Sequence, residues 1–383
     1  MAGLYIHIPF CSSRCLYCGL FSTTMLEERQ RYVDDVCREM ELRSLSQPPS
    51  AEKDSLDTIY LGGGTPSQLS AEQLHQLFDA IYNIYNVKDE AEVTIECNPD
   101  DVSDAFACML RQLPVNRVSM GAQTFNDQRL HFLHRRHRAE QVPLAVSRLR
   151  KAGISNISVD LMYGFPDETL SEWHADIDAM LALGVEHLSA YALSYEEGTP
   201  LYKMLQEGRV EELDEELQRQ MYYDLKDRLE QAGYEHYEIS NFAKYKVGQT
   251  RSGMSYRSRH NSSYWNHTPY IGLGAGAHSY EGRHREWNVD DLSKYMESVE
   301  KGVIPANGEE LDDDTFYNET VMTALRTREG ICLNTLSTRY RDYCLHQSQK
   351  YVTNGLLCQD GDNMRLTRKG LFVSDMVMSD LML

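Results

Sequence analysis

The sequence has 383 residues, 42% of them hydrophobic, which is enough for a buried core and for about two domains at roughly 150 residues each. Its formal net charge of −20 at pH 7 argues against nucleic acid as the main partner, because phosphate binding needs clustered lysine and arginine. No apolar run approaches the roughly 18 residues of a membrane span, and the first residues lack a basic leader and a cleavage site, so we expect a cytoplasmic protein.

Short β-rich runs alternate with helical patterns through the first half of the chain. Helical spacing is evident at 32–42 and at 71–85. Strands that alternate with helices at intervals of about 25 to 50 residues predict βα units and a parallel sheet. Six such units indicate an α/β fold with an incomplete (β/α)6 barrel rather than the eight units of a closed barrel. The predicted strands are 4–8, 58–61, 92–96, 117–121, 157–162 and 187–193.

A long amphipathic helix is predicted after the sixth strand. Leucine and methionine recur at helical spacing over 213–229, and Gly233 is a suitable stop. The next stretch is rich in glycine, histidine and aromatic residues. We treat it as a connecting segment, 231–305, between the barrel and the last part of the chain.

The last part of the chain predicts two helices, at 313–327 and 333–354, followed by a hairpin that turns at Asp360-Gly361-Asp362. Helices followed by a hairpin resemble a winged-helix module. In so acidic a chain we expect this module to serve packing or docking rather than DNA binding. The predicted domains are the barrel at 1–230, the connecting segment at 231–305 and a helical, winged-helix-like domain at 306–383.

Three of the nine cysteines lie within eight residues, in Cys11-Ser-Ser-Arg-Cys15-Leu-Tyr-Cys18, directly after the first predicted strand. Three thiolates can bind three irons of a [4Fe–4S] cluster and leave the fourth iron open for a small chelating ligand. The alternative is a zinc site, which prefers four ligands in paired spacing, and no second cysteine pair is present. The other six cysteines are scattered, as is typical of reduced thiols in the cytosol.

The cysteine cluster resembles the CxxxCxYC signature of the radical S-adenosylmethionine (SAM) superfamily. Its surroundings are similar to the branch that contains oxygen-independent coproporphyrinogen III oxidase and the HemW-type heme chaperones. The similarity continues through the motifs GGGTPS, IECNPD, SMGAQTF, VDLMYGFP and HNSSYW. It implies a partial (β/α)6 barrel and a [4Fe–4S] cluster whose open iron binds SAM, so that an electron could cleave SAM and release a 5′-deoxyadenosyl radical.

The resemblance also implies which residues hold SAM. Tyr5, Gly63 and Glu96 would contact the SAM bound to the cluster, since glycine lets the backbone approach a ligand and a carboxylate can accept from ribose hydroxyls. For each polar residue the alternative is a satisfied side chain in a loop, and whether one or two SAM molecules bind stays open. The positions that match a second SAM site in the oxidase are Tyr17, Gly64, Thr65, Gln123, Arg135 and Asp160.

Two departures from the oxidase favour the chaperone branch. The oxidase has a further cysteine two residues after the third cluster cysteine, where this chain has Leu20. It also has a substantial N-terminal arm, whereas only ten residues precede Cys11 here. The alternative function is that of a true oxidase, which converts two propionates of coproporphyrinogen III to vinyl groups. No catalytic residue beyond the cluster is assigned.

Two histidines are candidate heme ligands, because imidazole is a common ligand of heme iron. His260 begins the motif His260-Asn-Ser-Ser-Tyr264-Trp265, and His278 ends Gly274-Ala-Gly-Ala-His278. Packing of a loop is the alternative for both. The basic run 135–138 could pair with porphyrin propionates or form a solvated helix face. The hypothesis is a SAM- and cluster-dependent protein that binds heme and passes it to client proteins; whether it cleaves SAM stays open.

Overall fold

The computed structural model describes residues 2–46, 55–245 and 255–383, and its centre is a single curved sheet. Six parallel strands form the middle of the sheet in the order of the sequence, which confirms the predicted incomplete barrel. Each predicted strand lies within one residue of an observed strand or inside it. The six are β1 (Ala2–Ile8), β2 (Ser55–Gly63), β3 (Asn86–Cys97), β4 (Arg117–Gln123), β5 (Asn156–Tyr163) and β6 (His187–Ala192).

Helices follow these strands and cover the outer face of the sheet. Two of them begin at capping boxes, in which Ser70 and Thr169 accept from the third helical residue and Gln73 and Glu172 reach back. Their apolar faces pack on the strands in one large core. The helices are α1 (Arg29–Ser46), α2 (Ala71–Ile84), α3 (Asp104–Leu110), α4 (Asp127–Phe132), α5 (Gln141–Lys151), α6 (Leu170–Leu183), α7 (Pro200–Gln206) and α8 (Glu215–Gln231).

The predicted connecting segment adds strands to both edges of the same sheet. On the β6 edge, β7 (Tyr234–Glu238) and β8 (Asn241–Lys244) pair antiparallel. On the β1 edge, β9 pairs parallel to β1 and an antiparallel series follows. Residues 246–254 of this segment lie outside the described residues. The remaining elements are α9 (Arg259–Trp265), β9 (Tyr270–Leu273), β10 (His278–Glu281), β11 (His284–Asn288), α10 (Leu292–Glu300) and β12 (Ala306–Glu310).

The C-terminal module has its own hydrophobic core and a three-stranded sheet, in the order β13-β15-β14. The predicted hairpin is present, and so are the two predicted helices, of which the second begins five residues later than expected. None of the helices in the described part of the chain is both long and apolar enough to cross a bilayer. The elements are α11 (Asp313–Ala324), β13 (Ile331–Cys332), α12 (Thr338–Thr353), β14 (Leu357–Asp360), β15 (Asn363–Leu366), α13 (Arg368–Leu371) and α14 (Ser374–Leu381).

A buried carboxylate joins α1 to the strands added at the β1 edge. Glu39 is fully buried and accepts from Gly274 N at 2.9 Å, Asn288 Nδ2 at 2.8 Å and Tyr295 Oη at 2.6 Å. It also pairs with Arg43 Nε at 2.8 Å. A buried charge with several donors is stable, but loss of the carboxylate leaves those donors without an acceptor.

Glu39→Ala should therefore lower the free energy of unfolding by about 3–5 kcal/mol, because Arg43 and three further donors lose their shared acceptor. Denaturant unfolding of the purified protein measures this change. Glu41→Ala on the same helix is the matched control, since Glu41 is exposed, and should change the free energy by less than about 0.5 kcal/mol. Equal effects of the two substitutions would contradict the role of Glu39.

Candidate functional site

A cavity of about 220 Å³ lies at the carboxyl-terminal ends of the parallel strands, where the loops after successive strands meet. It brings together residues that are far apart in sequence, and all predicted cluster and SAM residues except Tyr5 line it. Those residues are Cys11, Cys15, Tyr17, Cys18, Gly63, Gly64, Thr65, Glu96, Gln123, Arg135 and Asp160.

The loop with the three cysteines is held over the mouth by one leucine. Leu16 is buried in a small hydrophobic cluster, and its backbone donates to Leu133 O and accepts from Leu201 N, both at 3.1 Å. Cys11 N also donates to Thr23 O at 2.9 Å. These contacts hold the loop at Cys11 and at Leu16, so that the three thiols face the cavity.

The three thiols fit a cluster better than a single metal ion. Among the described residues, no three Cys, His, Asp or Glu side chains converge closely enough for one ion. Ligands on three different irons of a cubane need no such convergence. Burial raises the pKa of Cys11 and of Cys18, so each thiol is protonated until an iron or another cation replaces the proton.

Arg135 crosses the cavity and reaches the cysteine loop. It donates through Nη1 to Cys15 Sγ at 3.5 Å, and through Nη2 to Asn98 Oδ1 at 2.6 Å and to Gly121 O at 2.7 Å. Its guanidinium therefore connects the cysteine loop to β4 and to the residue that follows β3. Gln123 beside it has a φ of 67°, an uncommon backbone conformation for a residue other than glycine.

The glycine turn after β2 is explained by packing within the protein. Gly63 has a φ of 108°, and a Cβ there would lie 2.5 Å from the His7 ring. A Cβ on Gly64 would lie 2.7 Å from the carbonyl carbon of Pro9. Both positions require glycine whether or not a ligand binds, and the absence of side chains leaves the backbone of the turn open to the cavity.

Two carboxyl groups line the inner wall of the cavity. Glu96 accepts from Tyr60 Oη at 2.6 Å and from Gly63 N at 3.1 Å. Burial raises the pKa of Glu96 to about 7, and it raises the pKa of Asp160 to about 6. Both groups therefore titrate near neutrality, and each accepts stronger, charge-assisted hydrogen bonds from a ligand when it is ionised.

The predicted site residues do not include Asn98, and one of them, Tyr5, lies outside the first cavity. Asn98 donates to Thr65 Oγ1 at 3.3 Å and accepts from Arg135, which ties two loops of the site together. Its position directly after β3 is the signal that could have identified it. Tyr5 does not line this cavity; its hydroxyl hydrogen-bonds to His7 Nδ1 at 3.0 Å, and its ring borders a second cavity.

His260 is placed where heme cannot reach it. The ring is 1% exposed, at the amino-terminal side of the barrel, where it packs against Gly3 and stacks on Tyr60. Nδ1 hydrogen-bonds to Thr58 Oγ1 and Nε2 to Tyr264 Oη, both at 2.8 Å. Both nitrogens are engaged in hydrogen bonds within the protein, which favours the packing alternative for His260 over heme ligation.

The basic run is likewise not a free anion site. Arg135 lies inside the cavity, and Arg136 pairs with Asp100 at 2.9 Å and with Asp101 at 2.8 Å. His137 is buried and hydrogen-bonds to Ala122 O at 3.1 Å. The run is therefore part of the site and its surroundings, which does not support pairing with porphyrin propionates.

A second cavity, of about 490 Å³, lies between the barrel and α11 of the C-terminal module. Aromatic rings form much of its wall, and Leu20 lines both this cavity and the first. His278 lines the second cavity, is exposed and stacks on Trp287. The aromatic lining residues are Tyr5, Phe21, Tyr264, Trp265, Tyr270 and Tyr280.

Known proteins match this chain along nearly its whole length. Residues 5–180 match the profile of the radical SAM superfamily, and residues 311–373 match that of the HemN C-terminal domain. A Bacillus subtilis protein named heme chaperone HemW is 36% identical over 342 residues, which cover 89% of this chain and 87% of that protein. A Lactococcus lactis protein of the same name is 32% identical over 388 residues, covering 99% and 97%.

Among solved structures, coproporphyrinogen III oxidase (HemN) from Escherichia coli superposes with a TM-score of 0.83. The superposition covers 99% of this chain and 89% of that chain at 20% sequence identity. At this identity the similarity shows a shared fold, including the C-terminal module. It does not show a shared activity, which has to be inferred from the residues of the site.

Cys15→Ala should abolish the brown visible absorbance of a [4Fe–4S] cluster after anaerobic reconstitution, since two thiolates are left to hold three irons. Iron and sulfide analysis together with the visible spectrum measure the cluster. Cys108→Ala is the matched control, because Cys108 is exposed on α3 and does not line the cavity. An intact cluster in Cys15→Ala would contradict the assignment of the ligands.

Proposed function

This chain belongs to the radical SAM superfamily and, within it, to the family of the HemW heme chaperones, and from that membership we propose that it binds heme and passes it to client proteins. The scattered cysteines suit work in the cytoplasm. The single observation that carries the proposal for this chain is the second cavity, in which one histidine has free ring nitrogens.

The cofactors of the superfamily are a [4Fe–4S] cluster and SAM, and the first cavity has the donors that they need. Cys11, Cys15 and Cys18 would hold the cluster, which would offer an open iron to SAM and, after reduction by an external electron donor, could transfer an electron to it. Glu96 would accept from the ribose hydroxyls of SAM. Tyr5 does not line the first cavity and would act on SAM indirectly, through its hydrogen bond to His7. The other proposed SAM contacts are Tyr17, Gly63, Gly64, Thr65, Gln123, Arg135 and Asp160.

Three histidines line the second cavity, and their hydrogen bonds distinguish them. His7 is engaged by Tyr5 and by Phe21 O, and His267 by Tyr280 and Thr320. Within the described residues, no hydrogen bond engages either ring nitrogen of His278. Partial burial lowers the pKa of His278, so its imidazole is neutral at pH 7 and can bind iron.

The walls of the second cavity suit a porphyrin. Its volume of about 490 Å³ lies within the range of about 300 to 1,000 Å³ for ligand pockets. Aromatic rings can stack on a macrocycle, and Trp265 has a buried Nε1–H without a partner in the described residues. Arg285, which now pairs with Glu309 and Glu319, lies at the rim and can exchange these partners for a propionate.

His278→Ala should weaken heme binding by at least about tenfold and shift the Soret band, because the proposed iron ligand is lost. Heme titration followed by absorbance measures both effects. His284→Ala is the matched control, since this exposed histidine on β11 binds Glu310 and does not line the cavity. An unchanged Soret band in His278→Ala would rule out the ligand, and failure of the wild-type protein to bind heme would rule out the function.

The oxidase alternative makes a different prediction. Leu20 is 58% exposed in the wall between the two cavities, at the position of the additional cysteine of the oxidase. We expect no conversion of coproporphyrinogen III to protoporphyrinogen IX by the reconstituted protein with SAM and a strong reductant, although SAM is bound. Product analysis under anaerobic conditions measures turnover. Multiple turnovers would establish oxidase activity and contradict the chaperone assignment.

A further inference from the structure

The interior of the barrel contains a buried guanidinium group, two of whose nitrogens have no hydrogen-bond partner among the described residues. Arg117 is the first residue of β4 and is 1% exposed. Its Nε and Nη1 are buried and have no hydrogen-bond partner among the described residues. The two residues that pair with it on the neighbouring strands, Thr94 and Asn156, also each have a buried side-chain oxygen without a partner.

Three adjacent strands therefore present unpartnered polar atoms at one level of the barrel. A buried charge without a partner is strongly destabilising, and nearly all buried polar groups in proteins are hydrogen-bonded to protein or to ordered water. A site with two to four polar groups facing one space is the kind that holds buried water. We expect water molecules to solvate Arg117 between Thr94 and Asn156.

The carboxyl groups of the candidate SAM site lie above this level. Glu96 follows Thr94 by two residues on β3, and Asp160 follows Asn156 by four on β5, so that both pairs share the interior face. The positive charge of Arg117 lowers the pKa of Glu96 and of Asp160 and so opposes the effect of burial. Beneath the pocket, Arg117 is the cation that acts on both.

Other groups act on the two carboxyls as well. Tyr60 and the backbone of Gly63 donate to Glu96 and lower its pKa, whereas Asp160 raises it. Ser189, Ser119 and Arg135 face Asp160 and lower its pKa, as Arg117 does.

Two histidines also lie in the interior, and neither supplies a positive charge. His187 and His260 are fully buried, and both burial and the nearby Arg117 lower their pKa values, to about 3 for His260. Each is neutral at pH 7. In the interior, Arg117 therefore supplies the positive charge that acts on both carboxyl groups, in addition to the hydrogen bonds that also lower their pKa values.

We propose that Arg117 is a positioning residue of the SAM site, which acts through buried water to favour the ionised forms of Glu96 and Asp160 and so strengthens the hydrogen bonds that they accept from SAM. This inference rests on the proposed SAM site, and it assigns a role to a residue outside the cavity. Arg117 does not line the cavity and touches neither cofactor.

The test is the pH dependence of SAM binding, measured by calorimetry on the cluster-reconstituted protein. The range of about pH 6 to 8 brackets the pKa of Glu96, which is about 7. In Arg117→Met, removal of the charge should shift the acidic limb of the binding curve upward by about one pH unit, so that the affinity on that limb falls about tenfold. Arg117→Lys keeps the charge and should stay close to the wild-type curve.

Two results would overturn the inference: an unchanged pH profile in Arg117→Met, or an equal loss of affinity at every pH in both variants, which indicates a purely structural role. Wild-type protein that binds no SAM would instead contradict the proposed site.

Infrared spectroscopy of the protein without SAM gives an independent measurement. A protonated carboxyl band should be present at neutral pH in Arg117→Met and smaller in Arg117→Met with Glu96→Gln; a band of equal size in wild type and Arg117→Met would also refute the proposal.

Discussion

The parallel hydrogen bonding of β1 to β6 is the constraint on which the rest of the molecule depends. Because the six strands pair in sequence order and in one direction, their carboxyl ends meet at one mouth. The cysteine loop, the glycine turn, Glu96, Gln123 and Asp160 each follow or end a different strand, and the sheet alone brings them together. The apolar face of the sheet is buried under the helices, which leaves the interior face available for polar groups.

That interior face is unusually polar for a barrel. Inward strand positions carry Tyr60, Glu96, Arg117, Asp160 and His187, where closed barrels usually have branched apolar side chains. In this environment burial raises the pKa values of the carboxyl groups, whereas hydrogen bonds and nearby cations lower them. The pKa values of Glu96 and Asp160 near neutrality follow from this balance, which the fold establishes and no local sequence feature encodes.

The two cavities share a wall, and this arrangement relates the two parts of the proposed function. Leu20 lies two residues after Cys18 and borders both cavities, while His7 packs on Gly63 on one side and lines the second cavity on the other. The edge strands β9 to β11 and helix α11 complete the second cavity. The proposed heme site of this chain therefore depends on the C-terminal half of the chain as well as on the barrel.

Sequence alone indicated the family, the incomplete barrel and the C-terminal module, because strand periodicity and the spacing of three cysteines are local properties. Most of the residues that line the first cavity followed from the resemblance to the family, whereas Asn98 was not predicted. The sequence did not determine that residues 231–305 extend the sheet at both edges, since strand pairing across such distances depends on packing. The same limit explains the error at His260: the motif around it is local, but its two hydrogen bonds come from Thr58 on β2 and from Tyr264 one turn later on α9. Among the described residues, only the tertiary structure leaves the ring nitrogens of His278 and two nitrogens of Arg117 without hydrogen-bond partners, because burial and hydrogen bonding are decided by the side chains that the fold brings together.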